Sequence, residues 1–301
     1  MEQAITNKRR TFKALVMQLL TLIRVNHWVK NMAVFFPVFF AGKILSEAFN
    51  AELIYLFISF CITSSTIYVI NDYVDIEKDK LHPTKQNRPL ASGFFKPLEA
   101  LVILLILLSV DLLLMLELGH AKWFVIGYFL LNLAYSFKLK NIAVLDVTCI
   151  SIGFLLRILA GGVATSVVVS HWMIIIVFLL TISIAFAKRR DDLVIQKEGE
   201  LLRNSQKGYS LAFIDVAKGI GFSVTLVCYI MYSVSPEVTQ RIGSDYVYAT
   251  SLFVFLGIIR YLQVSIVQQN AGSPVKVLAK DTFMQFIVLG WVVLFSVLIY
   301  A

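Results

Sequence analysis

Three aspartates carry the strongest chemical signal in this 301-residue sequence. Asp72, Asp75 and Asp79 follow one another at spacings of three and four at the end of an apolar run. On a helix that spacing sets them on one face, with Asn71 four residues before Asp75. Carboxylates stacked so closely repel one another, and a divalent cation that prefers oxygen relieves the repulsion. Mg2+ keeps several waters and takes one or two carboxylates together with phosphate oxygens, so the stripe suits a Mg2+-diphosphate better than an all-protein metal cage. The same ion would stabilise diphosphate as it leaves. The bland alternative is a helix end emerging into water with Lys78 and Lys80 as its partners. Lys85 and Arg88, close behind in a loop shaped by Pro83 and Pro89, favour the chemical reading because they can close over phosphates.

The elements that hold this stripe belong in a bilayer. Hydrophobic residues make up 58% of the chain and charged ones 15%, and the mean hydropathy is +0.80. A spanning helix needs roughly 20 apolar residues, and the candidates are Met32–Leu45, Ala51–Ile70, Leu98–Leu118, Trp123–Phe137, Ile142–Thr165, Trp172–Ala187, Phe213–Val234, Tyr246–Ile266 and Phe283–Ala301. The expectation is therefore an all-α, polytopic bundle of about nine spans forming one domain over 1–301. Met32–Leu45 is short and must recruit part of Leu15–Val29. Of the 27 lysines and arginines, all but Lys43, Lys122, Arg157 and Arg241 fall before the first span or in alternate loops. The positive-inside rule makes that face cytoplasmic, with the N-terminus inside and the C-terminus outside. Met1–Thr11 is polar and basic, with no cleavable signal, so the first span is expected to be retained. The formal charge of +8 is spread over short loops, which excludes a nucleic-acid footprint. Cys61, Cys149 and Cys228 sit in apolar runs without metal or redox spacing and read as packing residues.

The segment NDYVDIEKD (Asn71–Asp79) matches the pattern NDxxDxxxD, and NRPLASG (Asn87–Gly93) follows it. This pair resembles the UbiA superfamily of intramembrane prenyltransferases. RVNHWVKN (Arg24–Asn31), AYSFKLKNIAVLDV (Ala134–Val147), GFLLRILAGGVAT (Gly153–Thr165), AKRRDDL (Ala187–Leu193) and PVKVLAKD (Pro274–Asp281) extend the resemblance over almost the whole chain. They point to the branch that moves phosphoribosyl onto decaprenyl phosphate. The resemblance implies a nine-helix fold, Mg2+ on Asp72, Asp75 and Asp79, and phosphoribosyl diphosphate as donor. One departure is informative. Aromatic prenyltransferases of the superfamily carry a second acidic motif after the sixth span, whereas Lys188, Arg189, Arg190, Asp191 and Asp192 stand here. Lys188 and Arg189 suit the extra 5-phosphate of such a donor, and Asp192 or Asp191 could serve metal or ribose hydroxyls. A positive-inside anchor competes with that reading, for Arg190 in particular.

Arg157 lies inside an apolar span, where a charge is costly. It reads either as a ligand for the acceptor phosphate or the leaving diphosphate, or as a buried pair with Asp146 or another helix. Asp146 could orient a basic residue or a ribose hydroxyl. Asp111 reads as a structural contact, and His27 lacks a second His at zinc spacing. Tyr135 and Lys140 resemble positions lining the family's cavity, and Lys30 and Trp28 are candidate headgroup contacts. The expected reaction is attack of a polyprenyl phosphate (decaprenyl or undecaprenyl) on C1 of phosphoribosyl diphosphate, with Asn71 positioning the leaving group. An ionised phosphate nucleophile needs no general base. The expected setting is the inner (plasma) membrane, with the site facing the cytoplasm and a homo-oligomer left open. The alternative is an aromatic prenyltransferase of the same superfamily. A transporter should show inverted repeats, and none is evident.

Overall fold

In a computed structural model of the chain, the residues described are 11–82, 85–194, 206–268, 277 and 280–300. The basic residues Lys8, Arg9, Arg10, Lys197 and Arg203 lie outside them, as do Pro83 and most of the 274–281 segment. Among the described residues, twelve α-helices follow in order: α1 Phe12–Leu22, α2 Phe36–Phe40, α3 Ala51–Val74, α4 Ile76–Lys80, α5 Pro97–Leu116, α6 Lys122–Phe137, α7 Leu145–Ala164, α8 His171–Val194, α9 Leu211–Val234, α10 Pro236–Ile242, α11 Thr250–Ile266 and α12 Thr282–Tyr300. No strand occurs among the described residues. Seven segments among the described residues are long and apolar enough to cross a membrane: α3, α5, α7, α8, α9, α12 and Asp245–Ile266, which contains α11. Of the two other expected spans, Trp123–Phe137 lies in the 16-residue α6. The other falls in a broken segment over residues 12–40.

That segment is broken for a visible reason. After α1, Arg24 takes a left-handed backbone (φ 52°, ψ 51°), and Val25–Phe35 continues as a 3-10 helix before α2. The 3-10 stretch runs antiparallel to α3: Trp28 Nε1 donates to Ser65 Oγ at 3.0 Å, and Asn31 Nδ2 donates to Ser64 Oγ at 3.3 Å. At the far end Tyr300 Oη donates to the carbonyl of Phe39. Gly161 of α7 lets this stretch come close, because a Cβ there would sit 1.9 Å from the Val34 carbonyl oxygen. Trp28 thus ties the 3-10 stretch to α3 through its indole N–H.

Asn50 caps α3 by accepting from Leu53 N, and α3 is the most buried of the seven spanning segments. Its apolar window is 61% buried, against 11% for α5, which presents its apolar side chains outward. Asp111 of α5 accepts from Ser59 and Thr63 of α3, a structural contact as expected. The remaining charged side chains of interest gather where α3, α6, α8 and α11 end and α7 and α9 begin. Contacts between Arg189 and both Tyr135 and Asp146, and between Arg190 and the Ser265 carbonyl, tie these ends together.

Candidate active site

The aspartate stripe is interrupted where the sequence reads as continuous. α3 ends at Val74, Asp75 caps it with non-helical ψ (φ −95°, ψ 9°), and α4 restarts at Ile76. Asp72 and Asp79 are buried, while Asp75 stays partly exposed with Lys78 at 3.8 Å. The three carboxylates therefore do not meet at one point. Among the described residues, no three His, Cys, Asp or Glu side chains could hold a metal by themselves. Arginines join the two buried carboxylates instead. Arg88 Nη1 donates to Asp72 Oδ1 at 3.0 Å and to Asp79 Oδ2 at 2.6 Å, and Arg24 Nη2 donates to Asp72 Oδ1 at 2.6 Å. One guanidinium nitrogen thus stands between two carboxylate oxygens, as a small cation would. Hard anionic oxygens beside an open cavity fit Mg2+ with water and phosphate completing its shell.

The NRPLASG segment positions Arg88 by folding into a compact turn. Ser92 N donates to Arg88 O, Phe95 N donates to Pro89 O, and Gly93 supplies a left-handed φ of 75°. Leu90 and Phe95 anchor the turn in a cluster with Leu22, Val69 and Ala100. Arg24 was not singled out in the sequence, where it reads as one more positive-inside residue. Its guanidinium lies 4.3 Å from the Tyr68 ring centroid and, with Asp72, Arg88 and His27, lines a cavity of about 450 Å³. A second cavity of about 290 Å³, between α8, α9, α11 and α12, is lined by none of the predicted residues. Asn71 and Lys85 flank the stripe, Asn71 half-buried on α3 and Lys85 half-buried just before Arg88.

Deeper in, Arg157 is 5% exposed and held by neutral groups alone. Nε donates to Asn31 Oδ1 at 2.7 Å, Nη1 to the Gly153 carbonyl at 2.7 Å and Nη2 to Tyr128 Oη at 2.8 Å, with the Tyr128 ring 4.3 Å away. The expected alternative of a pair with Asp146 is corrected: no carboxylate contacts Arg157 among the described residues. Lys30 stands close enough to Lys188, Arg157 and Arg24 for their charges to act on it. Arg24, bonded to Asp72, thus links the stripe to this group of cations.

The model of the UbiA prenyltransferase family matches residues 32–287. The chain belongs to that family. It is a multi-pass membrane transferase. Similar relatives include the decaprenyl-phosphate phosphoribosyltransferase of Mycolicibacterium smegmatis, 30% identical over 93% of this chain and 92% of the relative. That of Corynebacterium glutamicum is 29% identical over 95% and 87%. A 4-hydroxybenzoate octaprenyltransferase of Neisseria meningitidis is 25% identical over 91% and 90%. A UbiA homolog from Archaeoglobus fulgidus, solved with GPP and Mg2+, shares the fold with a TM-score of 0.67 at 17% identity, over 94% of this chain and 100% of that one.

In this UbiA-family bundle the KRRDD run divides its labour. Lys188 is exposed. Arg189 is 4% exposed and donates to Asp146 Oδ2 at 2.7 Å, Asp192 Oδ2 at 2.9 Å and Tyr135 Oη at 3.3 Å. Arg190 donates to Asp215 and to the Ser265 carbonyl, a packing role across α8, α9 and α11. Asp146, fully buried, also accepts from Tyr209 Oη at 2.5 Å, and Tyr209 Oη accepts from Val144 N at 2.6 Å. Val144 pays for this with φ 69°, a strained value for a β-branched residue. Burial, and then the hydrogen bond to Asp146, push the Tyr209 phenol well above its usual range. Tyr209 was missed because nothing near it in the sequence signals its partner. Lys140, half-buried, sits in the short turn after α6, near Tyr135 in the chain.

Proposed function

We propose that the chain transfers 5-phosphoribosyl from phosphoribosyl diphosphate to a long polyprenyl phosphate and releases diphosphate. The observation that carries this reading is the group of cations that Arg24 links to the aspartates. Lys30 and Arg157 have no carboxylate partner among the described residues, and Lys188 stands beside them. Substrates that both bear phosphate bring the missing anions. The names of the mycobacterial and corynebacterial relatives support the same reading.

In this reading Asp72 and Asp79 would hold Mg2+, with Asp75 and Asn71 at the rim, and the bound metal would supply charge neutralisation for a leaving diphosphate. Arg88, Lys85 and Lys188 bind donor phosphates, and Lys30 with Arg157 holds the acceptor phosphate. An oxygen of that phosphate bonds to C1 as the bond from C1 to the diphosphate oxygen breaks, and no proton need move. Asp192, whose side chain is 35% exposed, can reach ribose hydroxyls. Tyr135 and Lys140 line the same end. Arg189 and Asp146 position α7 and α8 and do not touch substrate. The site faces the cytoplasm, and the membrane is the inner (plasma) membrane.

The test is to incubate the detergent-purified protein with Mg2+, phosphoribosyl diphosphate and decaprenyl phosphate. The expected product is a phosphoribosyl lipid, read by mass spectrometry and lost without metal. The second reading, an aromatic prenyltransferase, is favoured by the Neisseria relative. It would prevail if only a prenyl diphosphate with an aromatic acceptor turned over.

A further inference from the structure

The guanidinium groups of Arg24 and Arg88 hold the carboxylate oxygens that a metal would need. Asp72 Oδ1 accepts from both, and Asp79 Oδ2 accepts from Arg88. The four side chains sum to zero charge, so the pocket offers a free divalent ion little net attraction. A metal arriving alone must strip both arginines from buried carboxylates and leave them with no anion to meet. A diphosphate changes that balance, because its oxygens are bidentate partners for guanidinium. Both arginines can make the move: their side chains are 22% and 29% exposed and line the 450 Å³ cavity together with Asp72, whose own side chain is only 2% exposed. Arg24 itself takes the left-handed conformation at the junction of α1 and the 3-10 stretch, with its guanidinium 4.3 Å from the Tyr68 ring centroid.

We propose that Arg24 and Arg88 are exchangeable counter-ions: they neutralise Asp72 and Asp79 in the metal-free protein, and a diphosphate donor draws them off, so that metal and donor bind only together. The inference rests on the proposed reaction only for the identity of the diphosphate compound. It makes metal binding and donor binding reciprocal, because each raises the affinity for the other by the same factor. It also keeps the site from filling with free divalent ion when donor is scarce.

Mn2+ bound to the purified protein can be counted by electron paramagnetic resonance, with no turnover required. Native protein should bind Mn2+ weakly alone and about 10- to 100-fold more tightly with phosphoribosyl diphosphate. Arg24→Gln should bind Mn2+ alone at least about tenfold more tightly than native, with the donor effect reduced by the same factor. The Arg24→Gln/Arg88→Gln pair should go further in the same direction. Equal Mn2+ affinity in native protein with and without any diphosphate would overturn the exchange without any variant. Weaker or unchanged Mn2+ binding in a folded Arg24→Gln would overturn it too. If geranyl diphosphate tightens Mn2+ binding in native protein and phosphoribosyl diphosphate does not, the exchange stands and the proposed donor fails.

Discussion

Two ion-pair clusters stand at the same end of the bundle, built from the same kinds of side chain, and water separates their roles. In the first, Arg24 and Arg88 reach Asp72 and Asp79 from an open cavity. In the second, Arg189 and Asp146 are 4% and 0% exposed, with Tyr209, Tyr135 and Asp192 filling their remaining hydrogen bonds. A guanidinium that reaches water can leave its carboxylate when another anion is offered to it. A buried one cannot, because separating the pair strands a desolvated charge. The first is a reagent and the second a staple, which is why we assign phosphate binding to Arg88 and withhold it from Arg189.

The largest effect should come from cutting the staple. Asp146→Ala leaves Arg189 buried without its main partner and should destabilise the protein by about 3–5 kcal/mol, read as thermal unfolding in detergent. An Asp146→Asn/Arg189→Met pair should recover much of the loss. A single change costing under about 1 kcal/mol would erase the distinction between the clusters. In the open cluster the effect should move from stability to rate. Asp72→Asn should lower transfer by at least about 100-fold while leaving the unfolding temperature near that of the native protein. Smallest is Tyr209→Phe, which removes the hydrogen bond to the Asp146 carboxylate and the one accepted from Val144 N, and should cost about 2 kcal/mol. Because the folded phenol titrates above its unfolded value of about 10, the contribution is fully present below that pH and fades as pH rises through the raised value. The gap between native and Tyr209→Phe should therefore hold constant across the neutral range.

The sequence made some of this legible. Spacings of three and four marked Asp72, Asp75 and Asp79, and apolar runs marked α3, α5, α7, α8, α9, α11 and α12. Local periodicity suffices for such features. It could not show that the helix breaks at Asp75, turning one carboxylate out of line, because no Gly or Pro stands there to signal it. Nor could it pair Arg189 with Asp146, which lies 43 residues earlier, or distinguish Arg24 from the basic residues around it. Those relations are set by packing between helices. The bond from Trp28 to Ser65 was hidden for a related reason, since only the path of the 3-10 stretch brings the two together.

That path has a consequence for how the segment tolerates change. With three residues per turn, every third side chain of Val25–Phe35 falls on one line, and Trp28, Asn31 and Val34 occupy it. They meet Ser65, then Ser64 and Arg157, then the backbone approach at Gly161. The stretch behaves like a text read in triplets. Inserting or deleting a single residue shifts the frame by a third of a turn and removes all three contacts at once, whereas inserting three restores the alignment beyond the insertion. Length variation here should therefore come in threes, where an ordinary span would accept threes and fours alike.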